Sequence, residues 1–320
     1  MRVLVIGAGG MLGRKLIARL TRDQAIGGKE IAHLTQADAM HCAPILADFD
    51  VETVTCDLSA PYSAAQLLAG RPDVIFHLAA VVSGEAERDF DKGYRINLDA
   101  TRYLLEAARL AGNCPKLVFT SSIAVFGAPF PQVISDDYFT TPLTSYGTQK
   151  AMAELLINDY SRRGFVDGVA LRMPTVCVRP GSPNAAASGF FSSIIREPLV
   201  GLQAVLPVKD TVRHWFASPR AAVEFLVKAA IMDLSGLGSR RTLTLPGLSC
   251  TVADQIDALR RVAGDSAVAL IASLPDPEIA RIVGGWPERF DASRAIDLGF
   301  TADESFDMII RSHIEDELGG

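Results

Sequence analysis

The chain is 320 residues long and 49% hydrophobic, which suffices for a buried core in one large or two modest domains and excludes a disordered chain. A net charge of -6, with no long run of Lys or Arg, excludes a phosphate-tracking surface, and no stretch approaches the ~18 apolar residues that span a bilayer, so neither nucleic acid nor membrane is an expected partner. The five cysteines, Cys42, Cys56, Cys114, Cys177 and Cys250, form no CxxC pair, which argues against a structural zinc site and a disulfide framework and for reduced thiols in a cytoplasm.

Arg2-Val3-Leu4-Val5-Ile6 is a continuously apolar, β-branched run, the pattern of a strand buried on both faces of a parallel sheet, and it is too short for the central region of a signal peptide. It leads into Gly7-Ala8-Gly9-Gly10-Met11-Leu12-Gly13, where glycines at 7, 10 and 13 spell GxxGxxG ahead of an apolar-periodic segment through Leu16, Ile17 and Leu20. Strand, glycine turn and helix in that order let the backbone amides around Gly10 and Met11 reach a pyrophosphate. Glu30 to Asp38 is a poorer strand, and Asp38 follows Gly13 by 25 residues, close to the ~20 at which an acid meets a ribose 2′-hydroxyl. In that role Asp38 selects NAD, because a 2′-phosphate would be repelled; its other reading is a turn acid. Val51 to Leu58 is a third strand candidate, closing on Asp57 and Leu58 where an adenine is contacted, unless Asp57 caps the next element of the chain.

Pro72 to Ala80 is another buried strand, and its small end, Leu78-Ala79-Ala80, lets backbone approach a ligand. His77 reads as a core histidine rather than a base. Asn97 opens an amphipathic helix through Leu104, Leu105 and Ala108, and Lys116 to Ser122 is a strand that ends in hydroxyls. The alternation specifies an α/β doubly wound sheet, which binds ligands outside the carboxyl ends of its strands. Ser145-Tyr146-Gly147-Thr148-Gln149-Lys150 then puts a phenol and an ammonium four apart on one helix face, with an apolar stripe through Ala153, Leu156, Ile157 and Tyr160. A neighbouring ammonium favours the phenolate, so a tyrosine whose ordinary pKa is near ~10 becomes a base for an alcohol proton closer to neutrality. After the strand Gly168 to Arg172 the pattern changes at Pro174 to long irregular connections. Val212 to Phe216 and a helix from Ala221 to Ala230 come next, then a tail from Trp286 that is helical in patches.

Gly7, Gly10 and Gly13, the HLAA strand end at His77 to Ala80, Asn97, the Ser121-Ser122 strand end, and Tyr146 with Lys150 together resemble the extended short-chain dehydrogenase/reductase superfamily, which includes nucleotide-sugar epimerases and dehydratases. The resemblance covers essentially the whole chain and implies a Rossmann domain over residues 1–173, with a smaller, loop-rich, substrate-binding part over 174–320 from which a segment near 205–230 returns to the Rossmann domain. Within the superfamily, Val82 to Glu87, Arg179-Pro180-Gly181 through Asn184 to Phe191, Val212 to Trp215 and the ending Ile314 to Gly320 are similar to the D-erythronate dehydrogenase group. That group is taken to oxidise a four-carbon sugar acid at C2 with NAD. The resemblance implies Tyr146 as base, Lys150 as its support and a hold on the nicotinamide ribose, and Ser122 as donor to the substrate oxygen. Arg213 would then be the first candidate for a substrate carboxylate, competing with a structural arginine paired to an acid, and Arg179, Asn184 and Ser83 are further candidates. A homodimer through the helices led by Asn97 and Tyr146 is also implied.

Of three departures, the first two bear on the reaction. Dehydratases carry an Asp-Glu pair after the strand-end threonine, whereas Thr120 is followed by Ser121 and Ser122, which disfavours elimination. Many epimerases have an asparagine within the stretch that reads Arg172-Met173-Pro174-Thr175 here, which weakens epimerisation as the reading. Ala100 stands where glycine is frequent. Besides a dehydrogenase, the open alternatives are a 4-epimerase with tightly held NAD, a reductase of another small carbonyl compound, and a non-catalytic dinucleotide-binding protein.

Overall fold

The computed structural model describes residues 1–181 and 187–319 of the chain. Strand β1 is Arg2–Ile6, four of whose five residues are buried. It feeds helix α1, Met11–Asp23, which lays Leu16, Ile17 and Leu20 into the core. Strands β2, His33–Asp38, and β3, Asp50–Thr55, come after it. Helix α2 is Ser63–Ala69, strand β4 is Val74–His77 and helix α3 is Ser83–Arg88. A π-helical turn, Tyr94–Asp99, precedes helix α4, Ala100–Ala111. Strand β5 is Lys116–Ser122, helix α5 is Ser145–Arg162, strand β6 is Asp167–Met173 and strand β7 is Thr242–Thr244.

These seven strands form one sheet in the order β7-β6-β5-β4-β1-β2-β3, with β1 parallel to β2 and β4, β2 parallel to β3, and β4 parallel to β5. The order reverses beside β1, the switch point at which such sheets bind ligands. Register sets the edge: Ile6 lies opposite both Ala37 and His77, and His77 opposite Phe119, so four strands end together at the glycine turn. A core of Leu4, Ile6, Ile75, Leu104, Leu105, Leu117, Phe119 and Ile157 fixes the helices to the sheet.

Three expected strands shorten, Pro72 to Ala80 forming a strand only over Val74–His77. Lys29–Glu30 pairs back on Ala25–Ile26 as a small hairpin, so β2 begins only at His33. The third strand stops at Thr55 because Asp57 turns the chain, its carboxylate accepting the Ser59 N–H at 2.9 Å.

The chain divides into two compact units, one of Met1–Val125, Thr144–Arg172 and Val223–Leu243, the other of Phe126–Leu143, Met173–Ala222 and Thr244–Gly320. In the second, Arg213–Ala217 pairs with Thr175–Val176 and with Leu248–Thr251, so this part of the segment expected to rejoin the first domain takes its hydrogen bonds within the second unit, while the chain from Val223 to Leu243 groups with the first. Its core joins Phe191, Ile194, Ile195, Phe216, Leu259, Ile309 and Ile310. Helix α6, Gly189–Leu199, occupies sequence read as irregular; its Phe190, Phe191, Ile194 and Ile195 bury, and that packing outweighs the helix-breaking Gly189 and Pro198. Among the described residues no helix is long and apolar enough to cross a membrane.

Candidate active site

At the end of β1 the chain must turn under the next strand. Gly7 has φ +88°, and a Cβ there would lie 2.6 Å from the Ala79 backbone nitrogen. At Gly13 a Cβ would lie 2.2 Å from the Gly7 carbonyl, so only glycine lets α1 start this close to β1. Gly10 is the N-cap of α1 and offers no side-chain cap, which leaves the first-turn amides, from Met11 onward, oriented for an anion. The turn is braced from β2: Asp38 Oδ2 accepts the Gly9 N–H and Oδ1 the Met40 N–H, both at 2.9 Å. The acid expected at a ribose thus sits against the glycine turn, and the cradle fits a dinucleotide.

The remaining cofactor candidates divide by exposure. Leu78 and Ala79 are half-buried and Ala80 exposed at the end of β4, with the Leu78 N–H bonded to Ile6 O. Leu58 is instead buried in the core. Asp57 accepts from the Ser59 hydroxyl at 2.6 Å and from Arg95 at 2.9 Å, which hold its carboxyl below the usual range, Ser59 contributing most. Asn97 is buried in the π-helical turn. Its Oδ1 accepts the Val81 N–H at 2.9 Å, and its Nδ2 donates to Val81 O at 3.2 Å and to Gln149 Oε1 at 2.7 Å, tying the chain after β4 to α5.

Tyr146 and Lys150 occupy the first turns of α5, which Thr144 caps by accepting the Gly147 N–H at 3.1 Å. Tyr146 is half-buried and Lys150 is 2% exposed. The Lys150 ammonium donates to Thr120 O at 2.8 Å and lies 4.5 Å from the Phe119 ring centre and 5.6 Å from that of Tyr146. Burial pushes its pKa down to about 7, against which the Glu154 carboxylate pulls upward. Ser122 Oγ accepts the Ala124 N–H at 3.1 Å, leaving its proton for another acceptor. His77 is no base. Thr101 gives its only hydroxyl proton to Asn97 O at 3.0 Å, so the 2.9 Å contact to His77 places the histidine proton on Nε2. Burial, and then the Lys150 charge, push His77 to about 3.

The substrate candidates fall in different places. Ser83 opens α3 in the first unit. In the second, Arg213 Nη1 donates to Ser249 O at 2.7 Å and Nη2 lies 3.8 Å from the exposed Asp254 carboxylate. Arg179 donates to Val176 O at 3.1 Å and to Ser188 at 2.8 Å. Asn184 lies outside the described residues. Sequence reasoning missed Gln149, Thr101 and the buried Glu154–Arg172 pair; Glu154, four residues beyond Lys150, carried the one local signal.

The family described as NAD dependent epimerase/dehydratase matches residues 3–219. A Cupriavidus necator protein named D-erythronate dehydrogenase is 49% identical over 322 residues, spanning 99% of this chain and 98% of that one. One of the same name from Haemophilus influenzae is 42% identical, spanning 98% and 99%. A crystal structure described as the nucleoside-diphosphate-sugar epimerase from Agrobacterium tumefaciens is 60% identical, has a TM-score of 0.97, and spans 100% of this chain and 95% of that one. An L-threonine dehydrogenase at 20% identity and TM-score 0.85 shares the fold. The glycine turn, the switch point and these full-length relatives agree: the chain belongs to the NAD dependent epimerase/dehydratase family, with NAD as its cofactor.

Proposed function

We propose that the protein oxidises a secondary alcohol on a small sugar acid, D-erythronate to 2-dehydro-D-erythronate being the reaction that its relatives' names support. The observation that carries this reading is the buried Lys150 ammonium held between the Thr120 carbonyl and the Tyr146 ring, beside a strand end that presents Ser122. Bound NAD supplies the acceptor for the hydride that leaves the carbinol carbon. Tyr146, as phenolate, removes the hydroxyl proton, and Lys150 offsets the phenolate charge. Ser122, its oxygen already fixed by Ala124, donates to the substrate oxygen as that becomes a carbonyl. Asn97 holds the Val81 backbone, and Asp38 the Gly9 amide, so the site is formed before substrate arrives. Arg213 and Arg179 are the proposed cations for the carboxylate.

Epimerisation is the second reading, supported by the description of the Agrobacterium tumefaciens structure. The two differ in net cofactor reduction. With purified protein, added NAD and a panel of short aldonic acids, a steady rise of NADH absorbance with D-erythronate is expected. Interconversion of nucleotide sugars without NADH release would establish the epimerase instead.

The proposal extends to assembly and compartment. A homodimer joins α4 and α5 of two copies, consistent with Leu110, Met152 and Leu155 standing exposed on those helices. All five cysteines are free, which suits a reducing cytoplasm.

A further inference from the structure

The mechanism leaves unused a buried ion pair one helical turn beyond Lys150. Glu154 on α5 and Arg172 on β6 have side chains only 4% and 7% exposed. Arg172 Nη2 donates to Glu154 Oε2 at 2.8 Å and Nε to Oε1 at 3.0 Å, while Oε1 also accepts the Ser121 hydroxyl at 2.5 Å. Stability is a weak reason to bury two charges, since a well-packed apolar pair generally serves a fold as well. The location supplies a better one. Lys150 and Glu154 share a face of α5 and both grip the end of β5, Lys150 at the Thr120 carbonyl and Glu154 at the Ser121 hydroxyl. The strand end that carries Ser122 is therefore tied, at two consecutive residues, to the helix that carries Tyr146.

We propose that Glu154, held by Arg172, is a positioning residue that fixes the end of β5 against α5 and keeps the positive charge on Lys150 beside Tyr146, an inference that rests on the proposed alcohol oxidation. The groups around Lys150 are Tyr146 and Glu154 on α5, neutral His77 on β4, the Thr120 carbonyl and Phe119 ring on β5, and Arg172 on β6 behind Glu154. Within that set Glu154 is the carboxylate that offsets the cost of an ammonium out of water.

The test compares wild type, Glu154→Gln and Glu154→Gln/Arg172→Met. In the first variant the carboxylate beside Lys150 is neutral while the Arg172 charge stays, so the ammonium releases its proton more readily and the alkaline limb of the kcat profile moves down by about one pH unit. In the double variant neither charge remains, and the limb falls between the other two. NADH affinity, read by fluorescence, reports the same ionisation without turnover, and the pH at which it weakens keeps the same order. Coincident limbs for all three proteins in both readouts, with only a uniformly lower kcat, would overturn the proposal. Wild-type protein that reduces no NAD on any hydroxy acid would overturn the oxidation reading, while the NADH profile would still decide the role of Glu154.

Discussion

Lys150 is an ammonium that the fold holds where water does not reach, and that burial sets a pH dependence for the whole chain. Its pKa falls from 10.5 to about 7 on folding, so between those values the unfolded chain binds more protons and stability rises with pH. The cost is fully present below about pH 7 and fades as pH approaches 10.5. Lys150→Met removes it. The melting temperature of the variant relative to wild type is expected to be most favourable below about pH 7 and to lose that advantage steadily on the alkaline side; a difference independent of pH would show that the ammonium is not desolvated. That Tyr146 and Lys150 share one helix, and that Ser122 ends a strand, were legible from local pattern. Glu154 and Arg172, 18 residues apart and on different elements, meet only once β6 lies beside β5.

At the scale of elements, the turn from β1 into α1 leaves no room for a methyl group. Gly13→Ala puts a Cβ against the backbone oxygens of Gly7 and Ala8, which cannot move without shifting the strand. A loss of about 1–3 kcal/mol in denaturant unfolding is expected, with weaker NADH binding. Unchanged unfolding would mean that the turn is looser than these contacts require. This turn was legible from glycine spacing, β1 from its apolar run, and β5 from an apolar centre followed by hydroxyls. Helix α6 was not, because Gly189 and Pro198 signal interruption while four buried apolar side chains impose the helix. The π-helical turn before α4 was missed for a related reason: it exists to place Asn97 between Val81 and Gln149, two partners distant in sequence.

For the molecule as a whole, alternating strands and helices sufficed to specify the doubly wound sheet, but not how the later segments apportion between the two units. Arg213–Ala217 reads as a strand in isolation, and its partners, Thr175–Val176 and Leu248–Thr251, lie more than thirty residues away on either side. The exposed Leu155, at 68%, has a place in the proposed homodimer. Leu155→Glu would put a charge in that interface, and sedimentation should then show monomers where wild type gives dimers; identical sedimentation would remove α5 from the interface. The central claim is that a Tyr146 phenolate, sustained by Lys150, takes the alcohol proton. Its most direct test is turnover of D-erythronate with NAD by Tyr146→Phe, alongside NADH binding by the same protein. The account predicts a loss of about 10²–10⁴-fold in kcat with binding nearly unchanged, whereas wild-type turnover in that variant would contradict it.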